Sequence, residues 1–262
     1  MFWLFSFLSR YDHQYHIYYD IAHGPYGDLS FEQAYAHVQS GIDFLLGQKV
    51  DAILVPPVYE LALLADKKNA GVAKILPLFS SYLTEECFAH SLVGKLGLIG
   101  DHADIQVGQD LLTAFAKKYV LSDAQKAIKK FQFPFVYRAK EVSLRKYFAM
   151  KLSYANMMVN KVIKFDLRYF KDALVDTVIP LNYAYFHYQQ TMSKYFNFKK
   201  IRFHKIEKLE TVFQWLVSSD KWRNTYVVNI YHTSHVDFLK SEKRILWLLQ
   251  RGKTTEIQRK QV

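Results

Sequence analysis

The strongest constraint on the fold is an alternation of short, nearly continuous apolar runs with longer stretches of helical periodicity. Asp51-Ala52-Ile53-Leu54-Val55, Lys95-Leu96-Gly97-Leu98-Ile99-Gly100 and Asp176-Thr177-Val178-Ile179-Pro180 are such runs. A strand that is apolar on both faces belongs between helix layers, as in a parallel sheet. Tyr15-His16-Ile17-Tyr18-Tyr19 and Tyr226-Val227-Val228-Asn229-Ile230 are further strand candidates, and Ala73-Lys74-Ile75-Leu76 is a shorter one. Between them, apolar residues recur at helical steps. Ala34, Val38, Ile42, Leu45 and Leu46 follow a capping Ser30, Leu61 and Leu64 follow Pro56-Pro57, and Val107, Leu111 and Leu112 follow the run at Lys95. The alternation predicts an α/β fold with mostly parallel sheets. Ligands in such folds bind beyond the carboxyl ends of the strands. The tips to watch are therefore residues 20–28, 56–60, 101–104 and 180–186. The aromatic and basic segment Phe131–Tyr169 reads as mostly helical, and the polar last dozen residues read as a frayed end.

Composition narrows the function classes. Half of the 262 residues are hydrophobic, enough to build the core of one folded unit or two small domains. The only cysteine is Cys87. One thiol excludes a disulfide framework within the chain and a cysteine zinc cage, and a reducing, cytoplasmic setting is the simplest expectation. Neither a secretory signal nor an apolar run of roughly 20 residues is present in this sequence, so no membrane association is expected. The formal charge of +11 favours anionic ligands or surroundings, but no dense Lys/Arg run marks a nucleic-acid arm. No nucleophile elbow, P-loop or dinucleotide glycine fingerprint appears, and no cofactor is expected. His232-x-x-His235 has no third ligand nearby, so no metal site is expected there.

At the strand tips the sequence resembles glutamate racemase, of the aspartate/glutamate racemase superfamily. The series runs Tyr18-Tyr19-Asp20, Pro25-Tyr26-Gly27 and Ser30, then a helix and Val50-Asp51-Ala52-Ile53-Leu54-Val55. Lys95–Gly100 matches the strand before the family's threonine-rich loop. Asp176–Ile179 matches the strand before its Cys-Thr-His-Tyr, and His232-Thr233-Ser234 its closing strand. The resemblance implies two racemase-like α/β domains with a cleft between them. Residues 1–92 plus 205–262 would form the first and residues 93–204 the second. It also implies cofactor-free inversion at the α-carbon of glutamate, with one cysteine removing the proton as thiolate and another returning one to the opposite face.

The departures from that pattern fall on the chemistry. Pro57 stands at the first cysteine position, followed by Val58 and Tyr59. Asn182 stands at the second, followed by Tyr183 and Ala184, and Tyr185 alone survives from that motif. The threonine-rich loop becomes Asp101-His102-Ala103-Asp104, whose carboxylates would repel a substrate carboxylate. Pro25, Tyr26 and Gly27 remain from the ligand shell. The family's opening strand is absent, and the expectation is that the native start lies upstream of Met1. Cys87 lies in a helical pattern and reads as a buried small side chain. The expectation is a pseudoenzyme: a degenerate homologue that binds a small amino acid, a dicarboxylate or a partner. Two alternatives stay open. One is an enzyme with a remade acid–base site at Asp101, His102 and Asp104 with Asn182. The other is a basic scaffold for nucleic acid or protein, with gyrase entering through the resemblance alone. A homodimer is the further partner expectation.

Overall fold

The structure, a computed structural model, describes residues 14–20, 22–23, 26, 29–66, 74–84, 87–88, 95–100, 102–120, 136–141, 157–186, 188–198, 200–206, 225–233 and 254–262. In chain order the elements are β1 (Tyr15–Tyr19), α1 (Phe31–Gly47), α2 (Pro57–Ala65), β2 (Lys95–Gly100), α3 (His102–Phe115), β3 (Val136–Glu141), α4 (Met157–Asp172), β4 (Thr177–Pro180), α5 (Tyr183–Phe186), α6 (Gln189–Phe198), β5 (Arg202–Phe203), β6 (Thr225–His232) and β7 (Thr254–Gln261). Every named strand pair is parallel. The α/β class read from the sequence is the fold observed.

The chain divides into two compact units. The first holds residues 1–53, 73–76 and 208–262, and the second holds residues 54–72 and 77–207. In the first, β6 lies between β1 and β7, with Tyr19 opposite His232 at the carboxyl ends of β1 and β6. Helix α1 starts where the sequence says it should. Gln33 N–H donates to Ser30 Oγ at 3.3 Å, and Ser30 N–H donates to Gln33 Oε1 at 3.0 Å. This reciprocal box satisfies two otherwise orphaned donors.

In the second unit the strand order is β3-β2-β4-β5. Strands β2 and β4 are the apolar runs of the sequence, and all of their residues but Lys95 are buried. Phe170 of α4 lies across Gly97 of β2, where a Cβ would stand 2.7 Å from its ring. Glycine is therefore what lets this helix approach the strand. Helices α4 and α6 end alike. Val175 N–H reaches Phe170 O at 3.3 Å and Ile201 N–H reaches Phe196 O at 3.0 Å, each around a left-handed residue, Leu174 (φ 53) or Lys200 (φ 58). Val175, Ile201 and both phenylalanines join one buried cluster, so each Schellman turn aims its following strand into the core.

Three local expectations are corrected. Among the described residues, 51–55 and 74–76 form no ladder, only one parallel bridge between Ile53 and Ile75. Pro56 and Pro57 follow at once, cannot donate, and turn the chain into α2. The segment 131–169 contains the strand β3, paired with β2 along all six of its residues. The polar C-terminal stretch is the strand β7, paired with β6 over eight positions. A sheet edge tolerates charged side chains, which discourage further pairing. Among the described residues, no helix is long and apolar enough to cross a membrane.

Candidate functional site

Among the described residues, each unit assembles a group of polar side chains around a carboxylate. In the first unit the group sits at the carboxyl end of β1, where a parallel strand delivers its ligands. Asp20 leaves the strand with its side chain only 6% exposed. Tyr26 Oη donates to Asp20 Oδ2 at 2.8 Å, and Thr233 Oγ1, just past β6, donates to Oδ1 at 3.1 Å. His23 N–H donates to Oδ1 at 3.2 Å, and the His23 Nδ1 lies 2.9 Å from the same oxygen. His37, from the second turn of α1, brings its Nδ1 within 3.8 Å of Oδ2. The rings of His23 and His37 stack with centroids 3.9 Å apart. Burial pushes the Asp20 carboxyl up, but hydrogen bonds from Tyr26, His23 and Thr233 outweigh it and hold the group below the usual carboxylate range. Ala22 N–H also donates to Thr233 Oγ1 at 3.0 Å, tying the tip of β1 to that of β6.

In the second unit the group is buried. Glu60 lies in the first turn of α2 and is 0% exposed. It accepts the Phe79 N–H at 2.9 Å, the Ser80 N–H at 2.7 Å and the Tyr183 hydroxyl at 3.1 Å. Burial raises its carboxyl above the ordinary value even though these donors favour the anion. Burial, with Glu60 close by, also raises the Tyr183 hydroxyl, which stays protonated as the donor. His204, past β5, packs its ring nearly perpendicular to those of Phe79 and Phe186. Its Nδ1 is 3.3 Å from Cys87 Sγ, and its Nε2 is buried without a partner. Burial, with Arg202 adding a smaller share, lowers it to about 3, so it is neutral. Cys87 is buried, and its Sγ also approaches Tyr82 O at 3.5 Å.

The sequence candidates fall among these groups unevenly. Tyr26 is a half-buried anchor of Asp20. Pro25, Gly27 and Asp101 lie outside the described residues, as does His235, and for His102 only the helical backbone at the start of α3 is described. Asp104 is half-buried in the first turn of α3, where a carboxylate favours the helix dipole. Pro57 is the first residue of α2, and Pro57, Val58 and Tyr59 are all buried. Asn182 is half-buried ahead of α5 and accepts the Tyr185 N–H at 3.1 Å. Tyr183 and Tyr185 are buried. Sequence reasoning passed over Glu60, His204, His23 and His37. A lone acid in the otherwise apolar Pro57–Ala65 was a readable signal for Glu60. Nothing in the sequence brings His37 to His23, fourteen positions away.

Fold and sites thus define a two-unit, parallel-sheet α/β protein with polar groups at its strand ends. Its structure is similar to those of glutamate racemases. The enzyme from Francisella tularensis in complex with D-glutamate superposes with a TM-score of 0.63 at 17% identity, covering 99% of this chain and 90% of that one. A glutamate racemase isoform from Bacillus anthracis gives 0.62 at 15% identity over 97% and 90%. The Thermus thermophilus enzyme in complex with β-chloro-D-alanine gives 0.61 at 16% identity over 99% and 90%. No family model matches the sequence, and no curated protein matches it significantly. The chain has a glutamate racemase-like fold.

Proposed function

We propose that this chain keeps a racemase scaffold without two-thiol racemisation, and that it serves as a cytoplasmic binding protein for a small amino acid or dicarboxylate. The observation that carries this reading is the single cysteine, Cys87, enclosed in the second unit beside His204. Inverting a tetrahedral carbon needs a proton acceptor on one face and a proton donor on the other. At the positions the resemblance gives to those groups stand Pro57, which has no titratable atom, and Asn182, whose amide does not titrate at neutral pH. The net charge of +11 supports an anionic ligand.

The expected outcome is that purified protein neither interconverts L- and D-glutamate nor exchanges their α-proton in D2O. A thermal-shift screen of amino and dicarboxylic acids should find at least one that raises the melting temperature, because a ligand that binds only the folded state stabilises it. Turnover at an enzymatic rate would overturn the reading. So would a screen in which no acid shifts the melting temperature.

A further inference from the structure

We propose that Asp20, His23 and His37 form a binding site for a divalent transition-metal ion, with one carboxylate, two imidazoles and an open position for water or a small ligand. One ligand atom from each residue lies within 4.8 Å of the other two. Zinc binds imidazole nitrogen and carboxylate oxygen at about 2.0–2.2 Å, which places tetrahedral ligand atoms roughly 3.3 Å apart. The observed separations from one carboxylate oxygen, Oδ2, bracket that value, 3.2 Å for His23 and 3.8 Å for His37. Closing the site takes adjustments of about half an ångström in these separations and a swing of one imidazole out of the 3.9 Å ring stack, because a bound metal lies in the plane of both rings.

The surroundings support the same assignment. Both rings turn Nδ1 towards one carboxylate, and one cation among them would take the place of the proton shared by His23 and Asp20 and bind the two nitrogens and the anion together. Tyr26 and Thr233 hold the two carboxylate oxygens, an outer shell of the kind that orients metal ligands. The β1–β6 register places Thr233 at this tip, and the capped helix α1 supplies His37. The His23 and His37 side chains are 50% and 30% exposed, which leaves room for solvent on the metal. Two nitrogens and one oxygen favour zinc, cobalt, nickel or ferrous ions over calcium or magnesium, which prefer oxygen ligands throughout.

The test is titration of the purified full chain with zinc chloride by calorimetry, with cobalt absorption as a second probe. One zinc ion per chain is expected at this site. His37→Gln and Asp20→Asn should each weaken it by more than about tenfold, and Tyr26→Phe by roughly tenfold, the usual cost of losing an outer-shell partner. Asp43→Asn on the same helix should leave it unchanged. The ring resonances of His23 and His37 in the unmodified chain should move on adding zinc, a readout that does not depend on how well a variant folds. No zinc uptake, undiminished binding by His37→Gln, or shifts confined to the chain's other histidines would overturn the proposal.

Discussion

Glu60 illustrates how a single buried charge is made tolerable. Its carboxyl is out of solvent, and two backbone amides and the hydroxyls of Ser80 and Tyr183 point at it. Because its folded pKa is raised, its contribution to stability is fully present below the ordinary value of 4.5 and is lost as pH rises through the folded value. Tyr183 supplies one of the side-chain donors. Tyr183→Phe should lower the unfolding free energy by about 1–3 kcal/mol, the cost of leaving a buried polar group without its partner. Urea melts should show that deficit growing as pH rises through the folded value, where the ionised carboxylate is the stronger acceptor.

His204 titrates with the opposite sign. Its folded pKa of about 3 lies below the unfolded value of 6.5, so the stability it contributes is complete above 6.5 and is lost as pH falls towards 3. His204→Phe keeps an aromatic ring against Phe79 and Phe186 but removes the proton site. Its stability should therefore vary less steeply with pH than the parent's. The difference should approach about 1.4 kcal/mol per pH unit in the region where the unfolded histidine is charged, near pH 4–5.5. Equal slopes in denaturant melts of the two proteins would show that His204 is not buried neutral.

At the scale of elements, the two Schellman turns carry a cost that glycine would remove. Leu174 and Lys200 hold left-handed backbone conformations, which disfavour a Cβ by roughly 1–2 kcal/mol. Glycine in the unfolded chain gives back about 0.5–1 kcal/mol of that in entropy. Lys200→Gly, whose side chain is exposed, should thus raise the unfolding free energy by about 0.5–1 kcal/mol, read as a shift in the urea midpoint at constant slope. Helix starts and apolar strands were legible in the sequence because they depend on neighbours along the chain. Ser30 with Gln33, and Leu96, Leu98 and Ile99 in β2, needed nothing more. Strand β7 was not legible. Residues 254–261 have no apolar run of their own, and they are a strand because β6 offers a row of unpaired amides and carbonyls. The bridge at Ile53 erred the other way. Its run is apolar enough for a strand, but Pro56 and Pro57 end the pairing.

At the scale of the whole molecule, each unit is stitched from distant stretches of chain. Strand β1 near the start pairs with β6, which pairs with β7 at the far end. Deleting residues 254–262 should therefore weaken the first unit, and hydrogen exchange should speed up at the amides of β6 (Thr225–His232) while those of β2 and β4 keep their protection. Uniform loss of protection would mean that the two units unfold as one. The candidate groups were only partly legible. Tyr26 was reached through the Pro-Tyr-Gly resemblance, but its role at Asp20 was not, and Asp101 with His102 drew attention that belonged equally to His23 and His37.

The sequence by itself determined the class of fold, because burial on both faces and helical periodicity are written in consecutive residues. Its single thiol is likewise read from the sequence, because composition needs no coordinates. Only the tertiary structure decided which polar groups meet. Asp20 finds His37 through the strand end and the helix that follows, and Thr233 through the β1–β6 register, contacts between residues up to 213 positions apart. Such meetings depend on sheet register and on helix approach over small residues such as Gly97, and no local pattern encodes either.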